Sequence, residues 1–131
     1  MKKRRYSKKR QAILERVCST DVHPSAEWVY QELKPEFPDL SLGTVYRNLA
    51  AFKQEGVIES LGVIDGLERF DGNTEPHAHF ICKHCAAVID LPGLKLPNRF
   101  EDVIECGRAE ELELRFIGTC NKCASTRKEK N

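Results

Sequence analysis

The chain has 131 residues, 40% hydrophobic and 31% charged, with a formal net charge of +1, a balance ordinary for a globular protein of one domain or two small ones. No apolar run approaches the roughly 18 residues that span a membrane, so no membrane partner is expected. The N-terminal "MKKRRYSKKR" has no apolar stretch behind it, so no secretory signal is read there and a cytoplasmic location is expected. Thiols stay reduced in that compartment, so paired cysteines imply metal rather than disulfide. The small net charge conceals an uneven distribution. Residues 1–56 carry +4, residues 57–131 carry −3, and seven of the first ten residues are basic. This points to a polyanion partner for the N-terminal half; the plainer reading is a solvated tail.

Taken in chain order, "SKKRQAILERVCS" predicts a helix from Ser7, with Ala12, Ile13, Val17 and Cys18 in one stripe. "HPSAEWVYQELKPEFP" predicts a second, starting at Ser25 or the Pro24 region, with Trp28, Val29 and Leu33 as its apolar face and Pro35 and Pro38 as its stop. "LSLGTVYRNLAAFKQEGVI" predicts a third. Ser41 is its N-cap, Val45, Leu49 and Phe52 recur at helical spacing, and Gly56 ends it. Tyr46, Arg47, Asn48 and Lys53 lie off that stripe and are the residue types that contact phosphates and base edges. Ser41, Thr44, Tyr46, Arg47 and Asn48 are the candidate DNA contacts. "VIESLGVIDGLERFD" then shows two strand-like runs around Asp65-Gly66, a hairpin signal. Three helices and a hairpin make a winged helix, whose third helix enters the major groove of double-stranded DNA. A helical bundle with an ordinary polar face is the alternative.

The second half reads as a small α/β unit, giving an α+β chain overall. Leu112, Leu114 and Phe116 in "EELELRFIGTC" have strand periodicity, and Phe100, Val103 and Ile104 in "PNRFEDVIECG" have helix periodicity. The expected division is a DNA-binding domain over 1–72, a hinge over 73–76, and a dimerisation and metal-binding domain over 77–131. A unit of about fifty residues buries little core and usually gains a metal, a partner subunit or both.

The metal is readable from Cys82-Lys-His-Cys85 and Cys120-Asn-Lys-Cys123, two CxxC knuckles separated by 34 residues. Four thiolates suit a closed tetrahedral site for structural Zn2+; a redox dithiol or an iron–sulfur centre is the alternative. Cys18 and Cys106 lack a partner knuckle and are expected to be small buried hydrophobes. His84, inside a knuckle, is read as a turn residue. In "EPHAHFICKHC" the parity of a strand puts His77 and His79 on one side and Cys82 on the other, which favours two metal sites over one. His23, Asp71 and Asp90 are further candidates for a nitrogen and oxygen shell suited to divalent iron, manganese or zinc. Standing alone, the HxH pair also fits two half-exposed strand histidines.

The motifs "HPSAEWVY", "LSLGTVYRNL", "GLERFDG", "HAHFICKHC", "VIDLPG" and "CNKC" together resemble the ferric-uptake-regulator superfamily of metal-dependent bacterial repressors, over nearly the whole length. The resemblance is strongest to its peroxide-sensing branch. It implies a homodimeric DNA-binding repressor, not an enzyme, with a regulatory Fe2+ or Mn2+ held by His23, Asp71, His77, His79 and Asp90. It also implies that iron and peroxide oxidise His23 or His77, lowering metal and operator affinity. Asp90 is the branch clue, since iron sensors in the family generally carry Glu there. The strand "EELELRF" has no histidine, with Leu112 near the place where a further metal ligand is found in many relatives, so a third metal site is not expected. The rival readings are a regulator of iron or zinc uptake answering to metal level alone, a metal-dependent hydrolase, and a zinc-ribbon interaction module.

Overall fold

The computed structural model describes residues 7–96 and 104–128. The basic arm before Ser7 lies outside the described residues, as does the predicted helix around Phe100 and Val103; Ile104 is described and exposed. The chain divides into two compact units, Met1–Thr74 and Glu75–Asn131.

In the first unit, α1 (Lys8–Cys18), α2 (Ala26–Leu33) and α3 (Leu42–Glu55) each begin at a serine. The hydroxyls of Ser7, Ser25 and Ser41 accept from the amides of Arg10, Trp28 and Thr44. Each such cap is worth about 1 kcal/mol. Gly56, at φ 80°, closes α3 by donating to the Lys53 and Phe52 carbonyls. The predicted stripes meet in one core of Ile13, Val17, Val29, Leu33, Val45, Leu49 and Phe52, joined by Leu40, Ile58 and Phe70. Cys18 does not join them. It follows Val17 by one residue, about 100° around the helix, and is exposed, as is Cys106; neither is the buried hydrophobe expected.

Strands β1 (Glu59–Ile64) and β2 (Leu67–Asp71) pair antiparallel in the register Ile64↔Leu67 to Glu59↔Asp71. Asp65 and Gly66 turn the hairpin at φ 54° and 87°, the left-handed pair that a two-residue loop demands. A bulge between Ser60 and Gly62 shifts the register at Leu61, which is buried. The unit is the winged helix that the pattern predicts.

The second unit is a three-stranded sheet in the order β4–β3–β5, with β3 (Ala78–Cys82), β4 (Val88–Leu91) and β5 (Arg115–Gly118). β3 runs antiparallel to β4 and parallel to β5. The strand predicted across Leu112–Phe116 thus begins only at Arg115, although the Leu114 carbonyl already accepts from the His79 amide. β5 is an edge strand, and Phe116 and Ile117 are both exposed, at 45% and 69%. In this unit Ala78, Ile81, Cys82 and Val88 are the buried apolar residues among those described. α4 (Asn121–Lys128) follows β5, a helix that the sequence pattern does not announce. Among the described residues no helix is long and apolar enough to cross a membrane.

Candidate metal centres

Parallel pairing of β3 and β5 sets Cys82 opposite Gly118, so both strands deliver their knuckles to the same end of the sheet. The turn after β3 supplies Cys85, the residue before α4 supplies Cys120, and the first turn of α4 supplies Cys123. The four Sγ atoms lie within 4.8 Å of one another, and Cys85 and Cys120 sulfurs are 3.8 Å apart. A tetrahedral ion with 2.3 Å zinc–sulfur bonds would space its sulfurs about 3.8 Å apart, so the cysteines fit zinc.

Backbone donors surround the sulfurs. The amides of His84 and Cys120 each donate to Cys82 Sγ at 3.4 Å, and that of Cys123 donates to Cys120 Sγ at 3.5 Å. The amides of Cys120, Cys85 and His84 pull the Cys82 thiol down to about 5. Hydrogen bonding to the Cys120 sulfur pushes Cys123 up to about 12. A central dication would stabilise the thiolate form at such a cluster. His84 is a turn residue as expected, with Nε2 3.0 Å from Thr119 Oγ1 in the other knuckle.

Of the sequence-predicted regulatory ligands, His23 and Asp71 belong to the first unit and His77, His79 and Asp90 to the second. In the first unit, His23 Nε2 lies 3.5 Å from Asp71 Oδ2, and both residues are buried. Asp71 ends β2, and its Oδ1 accepts from the Asn73 amide at 2.9 Å. His23 lies between α1 and α2 with a left-handed φ of 55°, which costs a non-glycine residue about 1–2 kcal/mol. The loop around it is sewn to β2: the Phe70 amide donates to the Pro24 carbonyl at 2.9 Å. Arg69 donates through Nε to the His23 carbonyl and through Nη2 to the Val22 carbonyl, the latter at 2.8 Å.

In the second unit, antiparallel pairing sets His79 directly opposite Asp90. Asp90 Oδ1 is 3.0 Å from His77 Nε2 and 3.2 Å from His79 Nε2, so three donor atoms converge on one point. The His77 Nδ1 lies 2.6 Å from the Glu75 carbonyl, to which it donates. That bond puts a proton on Nδ1 and leaves Nε2 as the nitrogen that faces Asp90, the orientation in which a metal-binding imidazole offers Nε2 to an ion. Imidazole and carboxylate donors of this kind suit a borderline-to-hard divalent ion.

On α3, the five candidate DNA contacts differ in what they leave available. Ser41 Oγ caps the helix and lies 2.9 Å from Thr44 Oγ1. Tyr46 donates its hydroxyl to Glu27 at 2.6 Å, and this bond raises the phenol pKa. Asn48 donates to the Thr44 carbonyl at 2.9 Å and accepts from Arg10 at 3.5 Å. Arg47 is exposed, and its guanidinium donates to Thr44 Oγ1 at 3.1 Å.

The sequence profile of the ferric uptake regulator family matches residues 2–117. The chain belongs to the ferric uptake regulator family. It is 36% identical over 121 residues to the peroxide-responsive repressor PerR of Staphylococcus aureus, covering 91% of this chain and 82% of that protein. Its fold is similar to the Campylobacter jejuni peroxide stress regulator, with a TM-score of 0.69 at 25% identity over 87% of each chain. It is also similar to the Vibrio cholerae ferric uptake regulator, with a TM-score of 0.67 at 26% identity over 88% of this chain and 92% of that one.

For this family member, sequence reading overlooked two residues that support the candidate ligands. Thr119 reaches across from one knuckle to His84 in the other. Arg69 ties down the His23 loop, and strand parity carries the signal, because Arg69 and Asp71 stand two apart in β2 and share a face.

Proposed function

We propose that this family member is a metal-dependent, DNA-binding repressor that senses peroxide through oxidation of its histidine ligands. In this reading one Fe2+ or Mn2+ is gripped by His23 and Asp71 from the first unit and by His77, His79 and Asp90 from the second, while Cys82, Cys85, Cys120 and Cys123 hold a structural Zn2+. The single observation that carries it is the convergence of two imidazole Nε2 atoms on one Asp90 oxygen, in a β-pair that fixes His79 opposite Asp90. The peroxide-responsive name of the S. aureus relative supports the signal.

The chain's own residues make the switch. The Glu75 carbonyl holds His77 in the ligand tautomer, and β2 holds Asp71 beside His23. A cation that needs donors from both units favours one arrangement of them. A homodimer can then place two α3 helices on half-sites roughly 34–36 Å apart. A coupling of about 1–3 kcal/mol tightens operator binding roughly 5- to 150-fold. Ferrous iron would supply the reducing power that turns hydrogen peroxide into a histidine oxidant, whereas manganese would support repression with little sensing. An oxidised His23 or His77 is a poorer donor, so the grip and the operator affinity fall together.

The second reading, a regulator answering to metal level alone, draws on the likeness to the V. cholerae ferric uptake regulator. Peroxide treatment of the iron-loaded protein followed by peptide mass spectrometry separates the two. The expected result is one added oxygen on His23 or His77 with loss of operator binding. No added oxygen and full operator binding would remove the peroxide signal and leave the metal-level regulator.

A further inference from the structure

We infer that Arg69 is the positioning residue of the regulatory metal centre: its forked guanidinium holds the Val22 and His23 carbonyls and thereby aims the His23 imidazole. The inference rests on the reading above that His23 is a metal ligand. Three successive carbonyls, Val22, His23 and Pro24, are anchored by two successive residues of β2, the first two by the Arg69 side chain and the third by the Phe70 amide. The residue at the centre of this run, His23, is held in a left-handed conformation that an L-residue does not choose unaided. A fork with fixed donor geometry is the side chain suited to two adjacent oxygens; a lysine ammonium offers one point of attachment.

Asp71, two residues further along the same strand face, places its Oδ2 3.5 Å from His23 Nε2, where it would serve as a carboxylate ligand. One strand of the wing therefore supplies a metal donor through Asp71 and orients another through Arg69. Displacing β2 displaces both. The alternative is a clip that merely steadies the winged helix. Such a clip would alter melting temperature and leave manganese affinity of the folded protein untouched.

The test is a double-mutant cycle on the full-length, zinc-replete protein, with Mn2+ affinity read from the free-ion electron paramagnetic resonance signal. Arg69→Gln should weaken Mn2+ binding about tenfold, in the range of losses seen when a ligand's supporting partner is removed. In a His23→Ala background the same substitution should change affinity less than twofold, since nothing remains to be aimed. Arg69→Lys, which keeps the charge and one donor, should recover part of the loss, and it decides the matter by the same cycle if Arg69→Gln folds poorly. Equal losses in both backgrounds, or unchanged affinity in the otherwise wild-type protein, would overturn the positioning role while leaving the ligand reading intact. Full Mn2+ affinity in His23→Ala alone would instead remove the ligand reading, and this inference with it.

Discussion

Gly72 is the position where one added carbon should do the most damage per atom. A Cβ built there falls 2.7 Å from the Cys18 Cα, 3.1 Å from its Sγ and 3.2 Å from its amide nitrogen. Carbon atoms in good contact sit about 3.5–4.0 Å apart, so the end of α1 and the end of β2 must separate by roughly 1 Å. Two of the three clashing atoms are backbone, which no rotamer change relieves. Overpacking of this kind costs about 1–3 kcal/mol, and for a unit of this size 2 kcal/mol lowers the melting temperature by roughly 8–16 °C. Because Gly72 follows Asp71 directly, the same shift should weaken Mn2+ binding. Gly72→Ala is therefore expected to lose both stability, by differential scanning calorimetry, and Mn2+ affinity. Adding Cys18→Ala should restore little, since the Cα and amide contacts remain. A Gly72→Ala protein melting within 2 °C of wild type, or one fully rescued by Cys18→Ala, would refute the backbone origin of the constraint.

Two further outcomes follow from the same geometry. Cys85→Ser should abolish stoichiometric zinc, read by metal analysis, and with it the sheet signal of the second unit in circular dichroism, because structural zinc sites contribute on the order of 10 kcal/mol to folding; zinc retained at full stoichiometry would exclude the four-thiolate site. On α3, Arg47→Ala should cost operator affinity about 1–3 kcal/mol, whereas Tyr46→Phe, whose lost hydroxyl already serves Glu27, should move operator affinity by less than about threefold; the reverse order in a fluorescence anisotropy titration would reassign the reading side chains.

Much of the first unit could be read from the chain because its signals are local. Ser41 caps α3 as its sequence predicts, Ser25 is the start that α2 takes of the two its sequence offers, Gly56 stops α3 in the left-handed region, and Asp65-Gly66 turns the hairpin. The second unit resisted for the opposite reason. Its sheet is closed by β5 pairing parallel to β3 from more than thirty residues away, and no local pattern announces such a crossover. Periodicity placed Leu112 and Phe116 on a common face but carries no information on depth, and both are exposed. Cys18 failed similarly: a cysteine next to a buried valine looks apolar in sequence, but its helical angle takes it out of the core. The His77–Asp90 contact was only half legible. Parity paired His77 with His79, but β3 starts at Ala78, and what brings His77 to Asp90 is the tether to the Glu75 carbonyl.

β3 is five residues long, with His79 near its start and Cys82 at its end. One member of the thiol cluster, Cys82, and one of the imidazole pair, His79, therefore share a single short length of extended backbone. An empty cluster would fray the end of that strand and loosen its pairing with β4, on which the opposition of His79 and Asp90 depends. On the proposed reading occupancy would then be sequential: zinc first, the responsive ion second. A chain made under zinc starvation would be deaf to the second ion as well, so one scarcity would silence the report of another.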